Sequence, residues 1–187
     1  MNLAKINIFG CKCNFWDLGG AVKMRPLWER YYADADAVVF VLDVGIGMVS
    51  GRAGRNGGSQ SERLGEVADA FRSVAEREEL VGVPLLVFGN KTDCFVSDDP
   101  ALRVNLGEIL AALSLGPSRL LVDNGDSGVG HPPALSPSSA TSGDRTVLGC
   151  TDELVAFCCG SAKTGEGVKA AFEWLVRAAR MAQRERQ

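Results

Sequence analysis

Apolar residues along this chain follow two rhythms. "LAKINIF" (3–9) and "CKCNFW" (11–16) are short strand-like runs that meet at Gly10, a pattern that predicts a hairpin. "AVVFVLD" (37–43), "PLLVFGN" (84–90) and "ELVAFCC" (153–159) are unbroken apolar runs, as expected of strands covered on both faces of a parallel sheet. Between them the spacing becomes helical. Ser61 reads as the N-cap of a helix to about Leu80, with Leu64, Val67, Ala68, Phe71, Val74 and Ala75 on one face. Pro100 to Leu113 gives a second helix, with Leu102, Leu106, Ile109, Leu110 and Leu113 inward. Gly165 to Arg184 gives a third, with Val168, Phe172, Leu175 and Ala179 inward. A short helix is predicted over Pro26–Ala33, with Leu27, Trp28 and Tyr31 on its inner side.

Two stretches break the pattern. Residues 44–60 are Gly-rich and read as a loop insertion. Residues 116–150 are rich in Gly, Ser and Pro and read as a disordered insertion in a single domain of residues 1–187. Strands alternating with helices predict an α/β fold, a mostly parallel sheet with helices on both faces. Ligands of such folds bind at the carboxyl ends of the strands. Those ends are Asp17 to Ala21, Asp43, Asn90 to Asp93, and Gly160 to Lys163.

Composition narrows the chemistry. The net charge of -3 argues against nucleic acid as a partner. One histidine, His131, lies in the Gly/Pro-rich tract, which leaves no basis for a histidine metal site or triad. The six cysteines form no C-x-x-C pair and read as thiols of a reduced, cytoplasmic protein. No run approaches the ~18 apolar residues of a membrane span. Arg177, Arg180, Arg184 and Arg186 crowd the end of the last helix, where positive charge suits the helix dipole.

Three strand ends carry recognisable chemistry. In "NKTD" (90–93), the Asp93 carboxylate offers two acceptors in a plane, matching the N1–H and N2 amine donors of guanine. A site built for those donors discriminates against adenine by ~10⁴-fold. Asn90 ties the loop, and the Lys91 stem covers one side of the base. In "CGSAKTGEG" (159–167), Ser161 braces Asp93, the Ala162 N–H reaches guanine O6, and Lys163 covers the other side. In "WDLGG" (16–20), Asp17 suits a water-mediated Mg²⁺ contact. Gly19 and Gly20 let the backbone approach a terminal phosphate. Taken singly, these motifs also read as a polar turn and a Gly-rich helix cap.

Together, "WDLGGAVKMRPLWERYY", "NKTD" and "GSAKTGEG" resemble, in order and type, the phosphate-sensing, guanine-specifying and base-covering motifs of the Arf family of small GTPases. The resemblance covers nearly the whole chain outside residues 44–60 and 116–150. It implies a small-GTPase (P-loop NTPase) fold, GTP or GDP with Mg²⁺ as cofactors, and exchange factors, activating proteins and effectors as partners. It also implies a switch role in vesicle traffic, in the cytoplasm and peripherally on Golgi membranes.

Two departures qualify it. No G-x-x-x-x-G-K-[ST] phosphate loop occurs. By the family pattern the first strand, phosphate loop, first helix and N-terminal membrane-gripping helix are missing. The first strand would stand between those ending at Trp16 and Asp43, so a seam is expected there. Ala21 stands where the family carries the Gln that orients the attacking water, so slow hydrolysis is expected. Three readings remain open: a switch protein whose sequence is incomplete, a nucleotide-independent interaction module, and a non-functional fragment. The intact guanine motifs favour the first.

Overall fold

The computed structural model describes residues 1–45, 60–95, 100–115, 120–121 and 154–186. Its elements are β1 (Asn2–Ile8), β2 (Cys11–Asp17), a 3₁₀ segment (Val22–Tyr31), β3 (Val38–Asp43), α1 (Gln60–Ala75), β4 (Leu85–Asn90), α2 (Pro100–Ala112), β5 (Leu120–Leu121), β6 (Val155–Cys159) and α3 (Val168–Glu185), with short 3₁₀ turns at Glu78–Leu80 and Thr92–Cys94.

The unbroken apolar runs form a four-stranded parallel sheet in the order β3-β4-β6-β5. The strand period of two explains why they are apolar throughout. Leu85 and Val87 of β4, with Val155 and Phe157 of β6, pack against Ala68, Phe71 and Ala75 of α1, Ile109 and Leu110 of α2, and Leu113 just after it. Their neighbours Leu86, Phe88, Ala156 and Cys158 point the other way, onto Ala171 and Leu175 of α3. The sheet is thus covered on both faces.

β1 and β2 form a separate antiparallel hairpin, Asn2 opposite Asp17 and Ile8 opposite Cys11. Its turn residues Phe9 and Gly10 both have positive φ, 48° and 76°, which suits a two-residue hairpin. The seam expected between Trp16 and Asp43 is a break in strand pairing. β3 is an edge strand, and its Val41 is 58% exposed. The hairpin leans on α3 through an edge-on contact of Phe15 with Phe172. A groove of about 340 Å³ lies beside that contact, lined by Ile6, Ile8, Phe9, Phe15, Val168, Lys169 and Phe172.

Several boundaries differ from the sequence reading. The helix expected at Pro26–Ala33 is a 3₁₀ segment that starts earlier, at Val22, and carries Pro26 inside it. Proline has no N–H to give an α-helical interior. Leu27, Trp28 and Tyr31 are half-buried, while Tyr32, just past the segment, enters the core with Val74, Leu80 and Val83. The helix expected over 61–80 ends at Ala75, with a separate 3₁₀ turn after it, and Ser61 lies inside it. The last helix begins at Val168, after Gly167 in the left-handed region. Val44, assigned to the loop, is fully buried; the rest of that stretch, 46–59, lies outside the described residues. Leu120–Leu121, assigned to the insertion, pair with Phe157 and Cys158. Residues 116–119 and 122–150 lie outside the described residues.

Among the described residues no helix is long and apolar enough to cross a membrane. Among the described residues Cys11, Cys13, Cys94, Cys158 and Cys159 form no disulfide. Burial, with Cys158 adding to it, pushes the Cys159 thiol up to about 12.

Candidate functional site

Parallel pairing brings the ends of β3, β4 and β6 together, since Asp43 lies opposite Asn90 and Gly89 opposite Cys159. The segments after these strands are then stitched to each other. The Gly160 N–H donates to the Gly89 carbonyl at 2.9 Å, and the Thr92 N–H donates to the Gly160 carbonyl at 3.2 Å. Gly160 and Gly167 permit this closeness. A Cβ on Gly160 would be driven into the Glu166 carbonyl, and one on Gly167 into that of Cys159.

Asp93 and Ser161 are 68 residues apart in sequence and in contact in space. The Ser161 hydroxyl donates to Asp93 Oδ1 at 2.6 Å. The same Oγ accepts the N–H groups of Lys163 and Thr164, each at 3.2 Å. Ser161 is fully buried, so its position is fixed. Lys163 Nζ stands 3.5 Å from Asp93 Oδ2. The Ser161 hydrogen bond, with Lys163 adding to it, holds the Asp93 carboxyl below the usual carboxylate range against the opposing effect of desolvation. The ionised, acceptor-only form is therefore favoured, and a carboxylate has about four acceptor positions. Ser161 and Lys163 occupy two of them.

Asn90 holds the two loops in register. Its Oδ1 accepts from the Lys91 N–H at 2.8 Å and from the Ala162 N–H at 2.9 Å. The amide expected to reach guanine O6 is thus held by Asn90 in this structure. A base would have to take over that donor. Lys91 adopts a left-handed backbone, φ 74° and ψ 33°, and its ammonium is paired with Asp43 Oδ2 at 2.8 Å. Asp43 was legible only as a strand end. Its grip on Lys91 depends on β3 and β4 being neighbours, which residue order does not encode.

Asp17, Gly19 and Gly20 belong to the hairpin and the loop after it. The Trp28 indole N–H donates to the Gly19 carbonyl at 3.1 Å. Arg25 Nε donates to the Gly20 carbonyl at 3.2 Å, while Arg25 Nη2 pairs with Glu66 on α1 at 2.8 Å. The space around Gly20 is open. Ala21 is exposed and precedes the 3₁₀ segment.

The residues expected to read a base, Asn90, Lys91, Asp93, Ser161, Ala162 and Lys163, are brought together at the ends of β4 and β6. A metal site is not evident among the described residues. They hold no group of three His, Cys, Asp or Glu side chains able to bind a metal ion.

A parallel sheet covered by helices on both faces is the architecture of the small-GTPase fold. The profile of the ADP-ribosylation factor family matches residues 1–109, and the chain belongs to that family. It is 28% identical over 177 residues to the human ADP-ribosylation factor-related protein 1, covering 95% of this chain and 63% of the relative. It is 30% identical over 111 residues to the ADP-ribosylation factor-like protein 3 of Chlamydomonas reinhardtii, covering 58% of this chain and 55% of the relative. It is 32% identical over 92 residues to ADP-ribosylation factor 1 of Brassica rapa subsp. pekinensis, covering 49% of this chain and 43% of the relative. The chain therefore spans less than two thirds of the length of these relatives.

Proposed function

We propose that this chain is the base-reading part of a guanine-nucleotide switch that acts in vesicle traffic at Golgi membranes, with weak or lost GTP hydrolysis. The observation that carries this reading is the Ser161–Asp93–Lys163 arrangement, closed off by Asn90. It presents a fixed, ionised carboxylate where a guanine edge requires two acceptors. In this reading Asp93 accepts from N1–H and N2, the Ala162 N–H turns from Asn90 to O6, and Lys91 and Lys163 cover the two ring faces.

Binding to the phosphates needs the backbone N–H cradle and lysine of a G-x-x-x-x-G-K-[ST] loop, a motif that does not occur in the 187-residue sequence. The chain alone should therefore hold GTP or GDP weakly. Asp17, Gly19 and Gly20 would report the terminal phosphate, with Mg²⁺ reached from Asp17 through water. Ala21 has no group with which to orient a water, so hydrolysis should be slow. Exchange factor, activating protein and effectors of the Arf type are the partners this reading implies.

Asp93→Asn tests it. The substitution replaces one acceptor with an amide donor that faces a guanine donor, so preference should move from guanine toward xanthine, whose position 2 carries an acceptor. Competition between GTP and XTP, in wild type and variant, measures the shift. An unchanged preference would mean that Asp93 does not read the base.

A further inference from the structure

Asp43 lies outside the motif set that reads the base, yet both of its carboxylate oxygens are engaged at the edge of that site. Oδ1 accepts the Gly45 N–H at 2.8 Å, which fixes the turn leaving β3. Oδ2 takes the Lys91 ammonium at 2.8 Å. The other end of Lys91 is also fixed, since its N–H donates to Asn90 Oδ1 at 2.8 Å and its backbone sits in the left-handed region at φ 74°. The four-carbon stem is thus strung between two held ends, next to the 3₁₀ turn that carries Asp93.

We infer that Asp43 is a positioning residue of the base site, which sets the Lys91 stem in place before a purine ring arrives. This rests on the guanine reading above. A lysine stem free in solution must lose rotamer freedom to lie along a ring, and that loss opposes binding. With the ammonium already drawn to Asp43, most of the loss has been taken in folding. The Asp43 hydrogen bond and charge also hold the Lys91 ammonium above its ordinary value of 10.5, so the lysine stays charged through the neutral range. Both side chains are about half exposed, which makes the pair sensitive to salt and its effect modest.

The test uses the 187-residue chain and guanosine, which probes base reading without phosphates. Adenosine is the control. Binding is followed by amide shifts of Asp93 and Ala162. Asp43→Asn keeps an acceptor for Gly45 but removes the charge that holds Lys91. Guanosine affinity should fall roughly threefold, the scale of an exposed ion pair. In a Lys91→Met background the same Asp43→Asn change should cost nothing further, whereas a role in the turn alone would cost the same in both backgrounds. Equal loss in both backgrounds, or no loss in either, overturns the inference. If wild type prefers guanosine and Asp43→Asn is silent, the inference alone falls. If wild type does not prefer guanosine to adenosine, the guanine reading falls with it.

Discussion

The indole N–H of Trp28 donates to the carbonyl of Gly19 across 3.1 Å, and so ties the Asp-Leu-Gly-Gly loop to the 3₁₀ segment that follows it. The loop takes its shape from two such side-chain contacts, the second being Arg25 to the Gly20 carbonyl. Trp28→Phe should keep the ring packing and lose the donor. A single hydrogen bond of this kind contributes about 1 kcal/mol. The Met24 amide, bonded to the Ala21 carbonyl at 2.7 Å, should then exchange with solvent roughly fivefold faster. Exchange at the wild-type rate would mean that the indole does not hold the loop.

Ser161→Ala removes one donor to Asp93 and the acceptor of two amides. Ser161 is fully buried, so stranding those amides should cost about 1–3 kcal/mol in a denaturant melt. The pH dependence has a definite sign. The Asp93 carboxyl is held below its ordinary value of 3.8, and a depressed acid stabilises the fold fully above that value. The stabilisation is lost as pH falls through the lower, folded-state value. Stability of wild type should therefore fall below pH 3.8 more steeply than that of Ser161→Ala, in which the main cause of the depression is gone. Parallel acid titrations of the two proteins would show the brace to be absent.

Gly167 has φ 70° and lies against the Cys159 carbonyl. Gly167→Ala meets two penalties, the left-handed backbone, at roughly 1–2 kcal/mol, and the contact itself. The melting midpoint should drop by more than that of Gly65→Ala, a change in open space on α1. Similar midpoints for the two variants would contradict the packing described at the base loop.

Ala21 is exposed and has room for a longer side chain. In a form of the protein supplied with a phosphate loop, Ala21→Gln should raise single-turnover GTP hydrolysis on the order of tenfold or more, by positioning water in the transition state. GTP affinity should stay roughly constant, because in the proposed reading the Gly20 backbone and not side chain 21 meets the phosphate. Hydrolysis already as fast without the substitution would assign the water to another residue.

Much of this architecture is written in local pattern. The run Leu85–Phe88 is apolar at every position because both of its faces are covered, and that is visible without coordinates. The Asp93–Ser161 brace is legible because a carboxylate fixed at a strand end needs a nearby donor and the two motifs sit at strand ends. Other features depend on things that pattern does not carry. Pro26 turned an expected helix into a 3₁₀ segment, and Tyr32 became the core residue at its end. Leu120–Leu121 is too short to show periodicity. The Asp43–Lys91 pair follows from which strands are neighbours. The Ala162 amide, expected to face a ligand, is satisfied by Asn90. Where one donor has two acceptable partners, sequence does not say which one holds it.

Because β1–β2 shares no strand pairing with β3-β4-β6-β5, the molecule has two units of different folding character. The hairpin closes over a two-residue turn and can form on the microsecond scale from local contacts. The parallel sheet must join β4 to β6, some 70 residues apart, and such long-range pairing is slow. Native-state hydrogen exchange should resolve the two. Amides of Lys5 to Asn14 should open through low-energy local unfolding, whereas those of Leu86 to Phe88 and Ala156 to Cys158 should exchange only when the whole sheet comes apart.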